Sequence, residues 1–167
     1  CFVGQDTFQA GRTAAGLMWE MTGGNGQVAI ISGQVANPGL ISRQKGFTTE
    51  IKESFPGIEI VDIRYSYDEL YPELTGIYIT GHGVKGVCQT LQKLGKDKTM
   101  HVIANDFLEE NLKWLKEGTI NFLIGQDAAV QGHSPVIILF QLLFDSKAPE
   151  KEYQYTDIVI RTKYNMG

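Results

Sequence analysis

The stretch Gln27-Val-Ala-Ile-Ile-Ser-Gly33 decides the fold of this chain. Its apolar centre is rich in β-branched residues, which is typical of a strand buried on both faces. The Asn37-Pro38-Gly39 cluster that follows predicts a loop and the start of a helix. In open α/β sheets, ligands bind outside the carboxyl ends of the strands, so we expect Arg43, in the first turns of this helix, to face a ligand.

The same alternation continues along the chain. The spacing of apolar residues and the glycine and proline stops predict helices over residues 8–21, 38–54, 84–94, 108–117 and 127–144. Strands are predicted over residues 2–4, 27–33, 58–63, 76–79, 100–104, 120–124 and 156–161. Strands that alternate with helices predict an α/β fold, a three-layer αβα sandwich with a mainly parallel sheet.

The connection between the third and fourth strands is shorter than this fold requires. A parallel crossover normally needs a dozen or more residues, usually helical. Only residues 65–75 are available. We therefore expect residues to be missing near Glu69 and Leu70, or the fold to be interrupted there.

Composition narrows the classes of partner. The chain has 167 residues with 43% hydrophobic content, enough for one domain or a little more. Its net charge of -4 gives no field that would hold DNA, so we expect no direct nucleic-acid contact by this stretch. Cys1 and Cys88 lack metal or disulfide spacing, and Cys88 is interpreted as a small buried hydrophobe. The longest apolar run, residues 136–140, is too short to cross a bilayer, so no membrane contact is expected.

Six candidate residues lie at or just beyond the carboxyl ends of successive predicted strands, where we expect them to meet. They are Arg43, Tyr67, Gly81, His82, Asp106 and Gln126. Guanidinium, carboxylate and amide groups together suit a ligand with adjacent hydroxyls, and an aromatic ring can cover the apolar face of a sugar. We expect Arg43 and Asp106 to bind such a ligand from opposite walls of one cleft.

Each of these residues also has a purely structural interpretation. Arg43 could be a solvated surface residue, and Asp106 could cap the helix that follows it. Tyr67 could be a packed strand end, Gln126 a loop amide bonded to backbone, and His82 a solvated loop histidine.

An enzyme is disfavoured by the sequence. No nucleophile and base pair, carboxylate dyad or metal-ligand cluster emerges, and no cofactor is predicted. The Gly23-Gly24-Asn25-Gly26 run precedes a strand, whereas a phosphate-binding fingerprint follows one.

Several stretches in combination resemble the type I periplasmic sugar-binding protein superfamily. They are residues 3–15, 26–33, 42–47, 72–78, 117–120 and 125–127. The resemblance implies a carboxy-terminal ligand-binding lobe over residues 1–126 and a helix over 127–153 that would pack on an amino-terminal lobe. Residues 154–167 would form a closing strand and tail. Since the chain begins without Met inside a predicted strand, we expect a fragment from which the amino-terminal lobe is largely absent.

The resemblance also implies residue roles. The family's ligand arginine falls on Arg43, its stacking aromatic on Tyr67, its ligand aspartate on Asp106 and its hinge glutamine on Gln126. Its usual Asn-Asp pair after the fourth strand is replaced here by Gly81-His82, which departs from the standard pentose or hexose contact.

The loop around Gly81 and His82 is similar to that of effector-binding domains in lactose-repressor (LacI)-type regulators. The implied function is a non-catalytic, sugar-sensing domain of a cytoplasmic bacterial transcription regulator, acting as a homodimer and reaching DNA through a headpiece that this chain lacks. The alternative is a periplasmic or extracellular solute-binding protein that delivers a sugar to an ABC transporter or receptor. An enzyme on the same fold is a third possibility, because fold does not fix function.

The predicted helix over residues 127–144 is apolar almost all round. Such a helix must be covered by neighbours. We expect it to pack on another copy of the chain or on a further lobe upstream of Cys1.

Overall fold

The computed structural model of the chain describes residues 1–33, 36–64 and 73–166. Its helices are α1 Thr7–Thr22, α2 Pro38–Ser54, α3 Val84–Lys93, α4 Glu109–Glu117 and α5 Ala128–Phe144. Its strands are β1 Phe2–Gln5, β2 Gly26–Ile31, β3 Ile58–Arg64, β4 Leu74–Ile79, β5 His101–Asn105, β6 Phe122–Gly125, β7 Tyr153–Thr156 and β8 Val159–Arg161. The boundaries of α2 agree with the prediction to the residue, and those of most other elements lie within two residues of it.

The strands form two sheets. Six of them make one sheet in the order β3-β2-β4-β5-β6-β8, in which only the edge strand β8 is antiparallel to its neighbour. The strands β1 and β7 pair separately as a parallel two-stranded sheet. The predicted α/β fold with a mainly parallel sheet is thus confirmed. The single closing strand predicted over residues 156–161 is wrong, because Asp157 and Ile158 separate two strands that join different sheets.

Two apolar clusters lie on opposite faces of the six-stranded sheet, as an αβα sandwich requires. Successive side chains of a strand point to opposite faces, so Ile30 packs with α1 and α2 while Ile31 packs with α3 and α4. Cys88 lies in the second cluster and is fully buried. Burial raises the pKa of its thiol to about 12, which keeps it neutral as a small hydrophobe.

Helices α1 and α2 approach each other closely through glycine. A Cβ atom on Gly11 would lie 2.0 Å from the carbonyl oxygen of Arg43, and one on Gly46 would lie 2.0 Å from that of Phe8. Only residues without a side chain permit this contact. The contact fixes the first turns of α2, and therefore Arg43, against α1.

The short connection noted in the sequence joins two strands that are not neighbours. Both β3 and β4 pair with β2, which lies between them. Residues 65–72 fall outside the described residues, so the expected gap near Glu69 and Leu70 stays a prediction.

Helix α5 departs from the pattern of the other helices because it has no buried residue. Most of its large apolar side chains are exposed, from 40% at Val130 and Ile137 to 73% at Phe144. Within the described residues, no helix is long and apolar enough to span a membrane. An apolar surface of this extent is unusual on a soluble monomer and marks a site of association.

We predict that the isolated 167-residue chain self-associates through α5. Replacing Leu139 and Leu143 with lysine should shift it towards monomer, because the two side chains lie one turn apart on the exposed surface. Light scattering coupled to size-exclusion chromatography measures the change. Leu94→Lys, at an exposed leucine beyond the end of α3, is the control and should not alter the association. A monodisperse parent monomer with a folded α5 would contradict the prediction.

Candidate functional site

A cavity of about 450 Å³ opens at the carboxyl ends of β2, β4, β5 and β6. Five of the six predicted site residues line it: Arg43, Gly81, His82, Asp106 and Gln126. Tyr67, the sixth, lies outside the described residues. The expectation that the candidate residues meet at one edge of the sheet is confirmed for these five.

Arg43 is 4% exposed, so its interpretation as a solvated surface residue is wrong. Its guanidinium donates from Nη1 to the carbonyl oxygen of Thr80 at 2.9 Å and from Nη2 to Gln5 Oε1 at 3.0 Å. The same Nη2 lies 3.5 Å from Asp106 Oδ1. These partners hold the planar fork of donors in one orientation against the cavity.

Asp106 lies beside Arg43 and does not face it across the cleft. The expected placement on opposite walls is wrong, because the two side chains form an ion pair. Asp106 also accepts a hydrogen bond from Gln126 Nε2 at 3.1 Å, and its side chain keeps 37% exposure towards the cavity. A carboxylate oriented by two donors retains further lone pairs for a ligand.

The interpretation of Asp106 as a helix cap is also wrong. Leu108 is the residue at the N-cap of α4, and no side chain makes a capping bond there. Asp106 instead has a φ of 70°, a conformation that non-glycine residues seldom adopt. Asn111 supports it by donating from Nδ2 to the carbonyl oxygens of Asn105 and Asp106. Strained backbone of this kind is common at binding sites.

The loop after β4 brings His82 to the same cavity. Gly33 allows the approach, because a Cβ atom there would lie 2.3 Å from the Cβ of His82. Gly81 packs against Leu40, with 2.6 Å between a Cβ built on Gly81 and the nearest leucine methyl carbon. The imidazole itself is exposed, so a contact with a ligand and a solvated loop position are both compatible with its place.

Sequence reasoning missed two buried polar residues that complete the site, Gln5 and Asn105. Gln5 accepts from Arg43 and donates to the carbonyl oxygen of Gly125 at 3.0 Å. Asn105 donates to Tyr78 Oη and to the carbonyl oxygen of Ile79. Their only signal was polarity at the end of a predicted strand, and Asn105 also directly precedes the candidate Asp106.

The side chains that lie below Asn105, at the floor of the cavity, carry no charge. Tyr78 is fully buried and stacks on Phe47 with 4.7 Å between ring centroids. Burial raises the pKa of Tyr78 to about 12, so its hydroxyl stays protonated. Two buried atoms of cavity-lining residues, Arg43 Nε and Asn105 Oδ1, have no hydrogen-bond partner among the described residues. Unpaired buried polar atoms are costly in an ordinary core and are more often found at functional sites.

Charged residues also occur at the rim of the cavity. Lys85 Nζ lies 3.1 Å from Glu110 Oε1, and both residues line the cavity. Because both side chains are about half exposed, their ion pair contributes little to stability. No cluster of three or more histidine, cysteine, aspartate or glutamate residues that could hold a metal ion occurs in the described part of the chain.

Residues 1–147 match the model of a protein family described as the periplasmic binding protein domain. The match covers most of the chain, and the chain belongs to this family. The resemblance found in the sequence to the type I periplasmic-binding-protein-like superfamily is confirmed. No curated protein sequence matches the chain.

Solved structures of this class superpose on nearly the whole chain. One is a sugar-binding protein of a sugar ABC transporter from Bacillus halodurans, at 26% identity and a TM-score of 0.88, covering 98% of this chain and 64% of that chain. Another is an ABC transporter solute-binding protein from Burkholderia graminis in complex with D-arabinose, at 29% identity and a TM-score of 0.86, covering 98% and 62%. A third is a protein described as a LacI transcriptional regulator from Bacteroides fragilis, at 25% identity and a TM-score of 0.84, covering 99% and 62%. The chain thus spans less than two thirds of the length of these relatives.

We predict that Asp106→Asn weakens binding of the ligand about tenfold or more, because a hydrogen bond to a charged group contributes roughly 1.5 to 3 kcal/mol. Arg43→Ala should have a similar effect and also lower thermal stability, since it leaves Gln5 and the Thr80 carbonyl without their donor. Calorimetric titration of the full-length protein measures the affinities. Asp97→Asn is the control, because Asp97 forms an ion pair with Lys98 in the loop that joins α3 to β5. If Asp106→Asn and Arg43→Ala both stay within twofold of the parent, the site is misplaced.

We also predict that His82 contributes directly to affinity. Its exposed side chain lines the cavity, and one hydrogen bond to a ligand is worth about 1 kcal/mol, or roughly fivefold in affinity. Calorimetric titration of His82→Ala measures the loss. His133→Ala, on the exposed surface of α5, is the matched control. An unchanged affinity in His82→Ala would leave His82 as a solvated loop residue.

Proposed function

We propose that this chain is the carboxy-terminal lobe of a non-catalytic sugar-binding protein and that the cavity holds the sugar. The observation that carries the proposal is the oriented set of Arg43, Asp106 and Gln126 at the carboxyl edge of the sheet. A guanidinium donates, a carboxylate accepts and an amide does both, which matches adjacent hydroxyls on one ring.

The size and composition of the cavity support a ligand of this class. Its volume of about 450 Å³ lies within the range of small-molecule pockets, roughly 300–1,000 Å³. Leu40, Val84 and Leu108 provide apolar surface beside the polar groups. A ring with hydroxyls on its edge and C–H groups on its face has the same mixture. The solved relative from Burkholderia graminis holds D-arabinose, which makes a monosaccharide the ligand class of choice.

For the physiological role we propose the effector-binding domain of a LacI-type transcriptional regulator in the cytoplasm. The support is the likeness to the Bacteroides fragilis regulator over 99% of this chain, together with the similarity of the loop at Gly81 and His82. In such a regulator the sugar closes two lobes and the change reaches a DNA-binding headpiece. The exposed apolar surface of α5 is compatible with a homodimer.

A second role is favoured by a different observation. Solved relatives with sugars as their ligands include transport proteins, among them the Bacillus halodurans and Burkholderia graminis proteins. In this role the chain is part of a periplasmic or extracellular protein that delivers a sugar to an ABC transporter. The two roles place the same cavity in different compartments. Cell fractionation and binding of the full-length protein to genomic DNA fragments separate them.

We predict that the full-length protein binds at least one sugar from a panel of D-arabinose, D-glucose, D-galactose, D-allose and D-tagatose, measured by calorimetric titration. Asp106→Asn must abolish or weaken the same titration, which ties the binding to this cavity. The sugar must also be recovered unchanged, because steady turnover would indicate an enzyme. Lack of binding by every sugar in the panel, with the protein folded, would contradict the proposal.

A further inference from the structure

A series of side-chain hydrogen bonds leaves the cavity and ends on the two-stranded sheet. Gln131, in the first turns of α5, donates from Nε2 to Gln126 Oε1 at 3.1 Å and to Thr156 Oγ1 on β7 at 3.3 Å. Gln126 in turn donates from Nε2 to Asp106 Oδ1 at 3.1 Å. The series therefore runs from Thr156 through Gln131 and Gln126 to Asp106.

The direction of these bonds decides how the Gln126 amide is oriented. A glutamine amide has one donor end and one acceptor end, whereas a carboxylate accepts only. The Nε2 group of Gln126 must face Asp106, since the reverse orientation would place two acceptors together. Gln131 stabilises this orientation because its own Nε2 donates to the acceptor end of Gln126.

The two-stranded sheet reaches the same ion pair from its other strand. Thr156 on β7 lies in register with Gln5 on β1. Gln5 accepts from Arg43 Nη2, and Arg43 Nη2 lies beside Asp106 Oδ1. A ring of contacts thus closes around the base of the cavity, and Thr156 links it to β7. The ring consists of the strand pair and five side chains: Arg43, Asp106, Gln126, Gln131 and Gln5.

We propose that Gln131 is a positioning residue for the ligand site: it fixes the Gln126 amide, and through it the Asp106 carboxylate, while Thr156 anchors Gln131 on β7. Gln131 is not among the residues lining the cavity, so its effect passes through Gln126. The link to ligand affinity rests on the proposed function, whereas the positioning of Gln126 does not.

Gln131→Met tests the inference because it keeps the length of the side chain and removes both hydrogen bonds. In the ligand-free full-length protein, the side-chain amide of Gln126 should exchange faster with solvent, and the separation of its two proton resonances should fall, as measured by nuclear magnetic resonance. Affinity for D-arabinose, or for whichever sugar of the panel binds, should fall about fivefold, the value of one lost hydrogen bond. Thr156→Val should act in the same direction with a smaller effect. Gln92→Met, on the exposed surface of α3, is the matched control.

A double-mutant cycle with Gln126→Met separates positioning from a merely structural role. If Gln131 acts through Gln126, then Gln131→Met has no further effect on affinity once Gln126 is replaced. Equal losses in both backgrounds, or unchanged Gln126 amide resonances in Gln131→Met, would overturn the inference. If the parent binds no sugar of the panel, the proposed function fails and the resonances of Gln126 still decide the positioning.

Discussion

The buried guanidinium of Arg43 is the constraint on which the site depends. An ion removed from water is stable only when other groups replace its hydration, and Arg43 is surrounded by the Thr80 carbonyl, Gln5 and Asp106. These partners come from three different parts of the chain. Because Arg43 needs all of them, it fixes the relative positions of β1, β4 and the loop after β5. The close contact of α1 with α2 at Gly11 and Gly46 sets the height of Arg43 above the sheet. Folding and the proposed ligand binding therefore rely on the same charge.

The fold could be predicted where the local sequence pattern favours the same element that tertiary packing requires. The apolar run of β2 and the Asn37-Pro38-Gly39 start of α2 each have one good structural solution, and both elements occur where expected. Asn37 caps α2 with its own side chain, a bond encoded within three residues. The closing strands could not be predicted, because the choice of pairing partner is made by distant residues. The residues from Tyr153 to Arg161 do not themselves indicate that β7 pairs with β1 while β8 pairs with β6.

The location of the site could be predicted from the sequence, but the hydrogen bonds between its side chains could not. The positions of Arg43, Asp106 and Gln126 near the ends of predicted parallel strands identify them as candidates, and the resemblance to periplasmic sugar-binding proteins implies roles for them. The contact of Arg43 with Asp106 was not visible, since 63 positions of sequence separate them and their side-chain directions depend on the φ of 70° at Asp106. Gln5, Asn105 and Gln131 gave little signal, because a lone amide usually bonds to nearby backbone or solvent. Only the folded chain reveals that these amides connect the strands to the cavity.

A crystal structure of the full-length protein with a bound monosaccharide, such as D-arabinose, tests most directly whether the cavity holds a sugar. We predict sugar hydroxyls within hydrogen-bond distance of Asp106 and Arg43, in the cavity at the carboxyl ends of the strands. The contradicting result is a sugar at another surface while Arg43 and Asp106 bond only to each other. The cavity near the amino ends of β5 and β6, lined by His101, Asn121 and Tyr164, is the alternative location that such a structure would reveal.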